Sequence, residues 1–176
     1  MSRYLLFLFF WATVFSAVNT PATAQSNNKI TKIAFLGDSL TEGYGVDEYK
    51  SYPFLAEKEL NTAGYRVSVI NAGISGSTSA SGLRRVQWLM RNNPDILVLA
   101  LGANDGLRGL STEELEKNLT ETARYAMSKN ALVILAGMHV PPNYGQDGIH
   151  PNETGHRMIA DIIIPYLKKH LPAQSG

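Results

Sequence analysis

The 176-residue sequence contains no cysteine, which excludes disulfides and thiolate metal sites. Stability must therefore come from a packed core alone. Charge of one sign is also lacking: 16 Lys and Arg stand against 15 Asp and Glu. A nucleic-acid binder or a protein held on an anionic membrane needs a basic surplus, so no nucleic-acid partner is expected. Internal repeats and low-complexity segments are missing too. Long apolar runs are confined to the amino terminus, where Arg3 precedes an almost wholly apolar stretch from Tyr4 to Val18, followed by Ala22-Thr23-Ala24. A positive start, a short apolar centre and a small-x-small site make residues 1–24 a secretory signal peptide, with Gln25 as the mature start. The run is short for a bilayer span, so the expectation is a periplasmic or secreted protein with no stable membrane anchor after cleavage. Cleavage would remove one basic side chain and leave 15 of each sign.

What remains, residues 25–176, is long enough for a single domain with a real core. Its apolar pattern alternates between two periods. Residues 33–36 form a continuous apolar run that reads as a strand buried on both faces. Tyr52 to Ala63 has helical spacing (Phe54, Leu55, Leu60), with Gly64 as a stop. A second strand covers 66–70 and closes at Asn71-Ala72-Gly73. A helix follows over 81–92, with Leu83, Val86, Leu89 and Met90 on one face. After Pro94, residues 95–101 form a third strand. Ser111-Thr112-Glu113-Glu114 is a capping box opening a helix to about Ser128, with Leu115, Leu119 and Thr122 inward. The fourth strand is 131–138. The last helix is 152–169, with Ile159, Ile162, Ile163 and Tyr166 inward and Pro165 as a kink. Strands alternating with helices predict a parallel sheet covered on both faces.

The chemistry gathers where strands end. In an open α/β sheet, ligands bind outside the carboxyl ends of the strands. The first strand ends in Gly37-Asp38-Ser39, which makes Ser39 a candidate nucleophile. Asp38 or Ser39 as a plain helix cap is the competing reading. Beyond the second strand, Gly76 can bring a backbone N–H close to a ligand. Beyond the third, Asn104 offers an amide. With the Ser39 N–H, these two would form an oxyanion hole, although glycine and asparagine are also ordinary turn residues. Asp147 and His150, three residues apart, can reach each other across one turn. Asp147 then accepts the Nδ1 proton of His150, leaving Nε2 to take the serine proton. A metal set of Asp147, His150, Glu153 and His156 matches no common ligand spacing, and no metal is expected. His139, His156 and His170 have no acid placed as well as Asp147.

Together these residues resemble the SGNH (GDSL) hydrolase family over nearly all of residues 25–176. Gly37-Asp38-Ser39-Leu40 matches the nucleophile block, Gly76 the second block, Asn104 the third, and Asp147 with His150 the last. Gly102-Ala103-Asn104-Asp105-Gly106-Leu107-Arg108-Gly109 and Pro141-Pro142-Asn143-Tyr144-Gly145 are similar to the periplasmic multifunctional thioesterase/lysophospholipase/arylesterase branch. The resemblance implies a three-layer α/β/α, flavodoxin-like fold with no metal or cofactor. It also implies a serine esterase that hydrolyses small acyl esters or thioesters through an acyl-serine intermediate. One departure stands out: that branch carries a further helix and fifth strand between the Pro-Pro-Asn-Tyr-Gly loop and Asp-x-x-His, whereas here only Gln146 intervenes. A helix plus strand needs many more residues. The expectation is thus four parallel strands in the order 2-1-3-4, with the fourth as an exposed apolar edge that invites self-association. Two other functions stay open: a catalytically impaired relative serving as a binding module, and a carbohydrate O-acetylesterase.

Overall fold

A computed structural model describes residues 29–137 and 147–172. The proposed signal peptide, His139 and the Pro141–Gly145 loop lie outside the described residues. Four parallel strands form one sheet in the order β2-β1-β3-β4. They are β1 (Thr31–Gly37), β2 (Val67–Gly73), β3 (Ile96–Ala100) and β4 (Leu132–Leu135). The helices are α1 (Ser39–Glu42), α2 (Tyr52–Thr62), α3 (Gly82–Leu89), α4 (Ala103–Leu107), α5 (Thr112–Ser128) and α6 (Glu153–Lys168). The apolar run in β1 is buried because successive side chains enter opposite cores. Ile33 and Phe35 pack with Tyr52, Ala56 and Leu60 of α2 and with Ile163, Ile164 and Leu167 of α6. Ala34 and Leu36 pack with Val86 and Leu89 of α3 and with Ala126 of α5. The result is three layers, with α2 and α6 on one face of the sheet and α3 and α5 on the other.

Three expectations need correction. The second strand does not stop before Asn71-Ala72-Gly73. It pairs with β1 through Gly37↔Gly73, while the Asn71 side chain accepts from the Gly73 N–H at 3.0 Å. Turn-type residues here simply continue the ladder. The helix expected over 81–92 is α only to Leu89, then tightens to a 3₁₀ turn at Met90–Asn92. On α6, Ile162 and Tyr166 face solvent at 66% and 54% exposure, and Ala160, Ile164 and Leu167 are buried in their place. The reason is that Ile162–Ile164 is apolar on every side, so its pattern cannot say which face docks. Small Ala160, wholly buried, marks the face of closest approach. Strand β4 is the exposed edge expected, with Leu132 and Leu135 turned partly outward.

Candidate active site

Ser39 is placed by backbone constraints on both sides. Gly37 ends β1 between Gly73 of β2 and Ala100 of β3. A Cβ at Gly37 would fall 1.8 Å from Thr41 Oγ1, so only glycine lets the chain fold straight into α1. Asp38 caps that helix, its Oδ1 accepting from the Leu40 N–H at 3.1 Å. The cap reading therefore holds for Asp38, and Ser39 becomes the first helical residue at the mouth of the sheet. The left-handed C-cap Gly43 (φ 89°) closes the short helix. Beyond it Tyr44 lays its ring 4.7 Å from the ring of His150. Tyr44 also lines a cleft of about 380 Å³ with Glu42, Gly43, Val46, Glu48, Asn71 and Gly73.

The segment 147–150 supplies the second half of the site. His150 Nε2 lies 2.9 Å from Ser39 Oγ, and His150 Nδ1 lies 2.5 Å from Asp147 Oδ2. The other carboxylate oxygen, Oδ1, accepts from the N–H groups of Ile149 at 3.0 Å and His150 at 2.9 Å. Bonded first by the His150 ring and then by two backbone N–H groups, the Asp147 carboxyl is held well below the usual carboxylate range. An ionised Asp147 requires the proton on Nδ1, which leaves the Nε2 lone pair facing the serine hydroxyl. That arrangement can draw a proton from Oγ. The chain then enters α6 at once: Pro151 is buried, and Asn152 caps the helix by accepting from the Gly155 N–H at 3.0 Å.

The two outer oxyanion candidates are drawn to the same edge. Gly76 lies three residues past the end of β2 with φ 75°, a conformation that side chains disfavour. Asn104 lies in α4, and its Nδ2 donates to Ser77 O at 3.0 Å. An amide NH₂ has two hydrogens, so this bond leaves one for a ligand. Arg108 Nη2 donates to Gly76 O at 2.8 Å. The metal set does not converge: Glu153 pairs with Lys50 at 2.7 Å, and His156 is wholly buried against α2.

Several functional neighbours escape sequence reasoning. Asp105 accepts from Ser79 twice, and Glu42 accepts from the Ser75 N–H at 2.8 Å and from its hydroxyl. Asp105 adjoins Asn104 in sequence, which is a usable signal, but its partner lies 26 residues away. Asp38 is wholly buried, and burial pushes its carboxyl up. Burial pulls the Arg85 guanidinium down, against the attraction of Asp38. Arg85 also donates to Ala72 O on β2. Arg85 thus ties α3 to β2 and offsets the charge beneath the nucleophile.

A doubly covered parallel sheet bearing a Ser–His–Asp constellation at its carboxyl edge defines a hydrolase-type α/β protein. The chain belongs to the GDSL-like Lipase/Acylhydrolase family, whose model matches residues 35–146. The match takes in Ser39, Gly76 and Asn104 and stops one residue short of Asp147. Among relatives, the chain is similar to Esterase TesA of Pseudomonas aeruginosa, at 42% identity over 111 residues. That alignment covers 62% of this chain and spans only 55% of the relative's length. Similarity to Thioesterase 1/protease 1/lysophospholipase L1 of Escherichia coli K12 is 35% over 175 residues, covering 77% of this chain and 83% of that protein. An alignment of that length exceeds the share of this chain it covers, so the relative carries residues this chain lacks. Among solved structures, the crystal structure of TesA superposes with a TM-score of 0.74 at 31% identity, covering 79% of this chain and 99% of that one.

Proposed function

We propose that this chain is a secreted serine esterase acting on small acyl esters or thioesters, with Ser39, His150 and Asp147 as its catalytic residues. The observation that carries the reading is the unbroken contact from Asp147 Oδ2 through both ring nitrogens of His150 to Ser39 Oγ. In the first half-reaction, His150 Nε2 takes the Oγ proton as Oγ bonds to the substrate carbonyl carbon. The oxyanion is held by the Ser39 N–H, the Gly76 N–H and the Asn104 amide. Collapse breaks the bond to the leaving oxygen or sulfur, which takes its proton from the His150 imidazolium. Water, deprotonated by the same nitrogen, then attacks the acyl-serine, releases the acid and restores Ser39. The cleft that Tyr44 lines has the volume of a small-molecule site. No metal or cofactor enters these steps.

Incubation with a fluorophosphonate, followed by mass-spectrometric site assignment, tests this reading. Rapid labelling of Ser39 is expected. Ser39→Ala should lose both labelling and p-nitrophenyl butyrate hydrolysis while its circular dichroism stays unchanged. A wild-type chain that folds but neither labels nor turns over ester would instead be a binding module. We further propose that residues 1–24 are removed on export to the periplasm or beyond. The composition of that stretch supports this: a positive start, a short apolar centre and a small-x-small site. Amino-terminal sequencing of the exported protein should read from Gln25, and retention of Met1 would refute cleavage.

A further inference from the structure

We propose that Asp105 is a positioning residue for the oxyanion hole, acting through a clamp on Ser79 that fixes the Gly76 and Asn104 loops relative to each other. The role rests on the serine-esterase reading above. Both residues are almost completely buried, Asp105 at 4% and Ser79 at 1% exposure. One carboxylate oxygen of Asp105 accepts from the Ser79 N–H at 2.9 Å, and the other accepts from the Ser79 hydroxyl at 2.6 Å. Charge-assisted bonds made in pairs fix direction as well as distance. Asn118 of α5 donates to the same Ser79 oxygen at 3.0 Å, so the clamp is anchored to the packed helix layer.

The positions in sequence give the clamp its leverage. Asp105 follows Asn104 directly, and Ser79 lies three residues beyond Gly76. Locking the buried pair therefore sets where the two proposed oxyanion donors stand. Two outer bonds close the frame: the Asn104 amide to Ser77 O at 3.0 Å, and Arg108 to Gly76 O at 2.8 Å. Those outer partners are more exposed than the Asp105–Ser79 pair, and water competes with them. The buried clamp is the link in this frame that solvent cannot replace. Oxyanion donors act by being correctly placed before charge develops, and a displacement of about 1 Å is enough to lose on the order of 100-fold in rate.

The test is a series of three variants measured with p-nitrophenyl butyrate, alongside circular dichroism and thermal melting. Asp105→Asn keeps both heavy-atom partners, since its amide can donate to the Ser79 oxygen. Ser79→Ala removes one of the two clamp bonds together with the Asn118 anchor, and Asp105→Ala removes both clamp bonds while leaving Asn118 on the Ser79 hydroxyl. A graded fall in kcat is expected: within about fivefold for Asp105→Asn, roughly tenfold for Ser79→Ala and on the order of 100-fold for Asp105→Ala. KM should stay within about twofold, because the donors act on the transition state. A merely structural role predicts activity loss that follows the unfolded fraction, and that result overturns the proposal. Wild-type kcat in Ser79→Ala, or a rise in KM at constant kcat, also overturns it. Should Asp105→Ala fail to fold, Ser79→Ala decides between these outcomes alone. Absence of turnover and of Ser39 labelling in the wild type would remove the esterase reading and this one together, whereas an active wild type with indifferent variants removes only this one.

Discussion

Acidification should destabilise this protein through His156. The ring is wholly buried on α6, where its Nδ1 accepts from the Tyr52 N–H at 3.3 Å. Tyr52 opens α2, so this N–H is one of those a helix start leaves without an internal partner. Histidine on one helix thereby caps another. Burial lowers the His156 pKa from 6.5 to about 4, because a protonated ring would lose hydration and could no longer accept from Tyr52. Between these two values the unfolded chain binds a proton that the folded chain refuses, so stability falls as pH falls. The stabilisation is intact above pH 6.5. It drops by about 2 kcal/mol at pH 5 and levels near 3 kcal/mol below pH 4. Urea unfolding of the wild type and His156→Gln, measured from pH 7.5 to 4, isolates the effect. Glutamine retains an acceptor for Tyr52 but does not titrate. The difference in unfolding free energy between the two proteins should narrow by about 2 kcal/mol between pH 7.5 and 5. Parallel curves would show that His156 is not buried neutral and would refute the reasoning. Because α6 starts three residues after His150, loosening of this contact should also be accompanied by loss of the Ser39–His150 hydrogen bond.

Three further outcomes are expected. Asp147→Asn should lower kcat by about 10⁴-fold while the fold persists, because an amide no longer favours the Nδ1–H tautomer of His150; activity within tenfold of wild type would show that Asp147 does not orient the ring. Gly73→Ala should destabilise by about 1–3 kcal/mol, since the added Cβ would lie 2.0 Å from Glu42 N and 2.5 Å from Glu42 Cα; an unshifted urea midpoint would contradict so close an approach of β2 to α1. Self-association through the β4 edge should make the sedimentation coefficient of the wild type concentration-dependent, and Leu135→Lys should abolish that dependence, since Leu135 is 62% exposed and a lysine on an edge strand opposes pairing. Identical sedimentation of the two proteins would leave β4 without that role.

What the sequence made legible divides along physical lines. Strands β1 and β3 could be read directly because each is a continuous apolar run of strand length with a glycine at or just past its end, as a strand buried on both faces should be. The strand order and exposed edge followed from the family resemblance, with the short stretch between Gly145 and Asp147 removing the fifth strand that the resemblance implies. Ser39, Gly76 and Asn104 stood out as candidates because each lies just past a strand end, and the Asp147–His150 contact was legible because the two residues lie within one turn of each other. The docking face of α6 was not, since an isoleucine run is symmetric until something packs on it. The Asp105–Ser79 clamp and the His156–Tyr52 cap were hidden for a different reason. Each joins residues far apart in the chain, and such pairs have no periodicity to read.

The shortened chain raises a geometric question that α6 answers. Strands β1 and β4 are separated by two strand spacings, about 10 Å, so a histidine held by β4 alone would stand away from Ser39. His150 is instead held from the other side. Pro151 is buried beside it, Asn152 caps α6, and α6 docks on α2 through Leu60, Ile163, Ile164 and Leu167 in the core that contains Phe35 of β1. Tyr44, one turn beyond the serine, closes on the same ring. The imidazole is therefore referenced to β1 through α2 and α6 rather than through the edge of the sheet. The length of chain between β4 and Asp147 sets the path to the histidine, but not the elements that fix its place. On this account, substitutions that loosen the α2–α6 contact should disturb the site more than substitutions in β4.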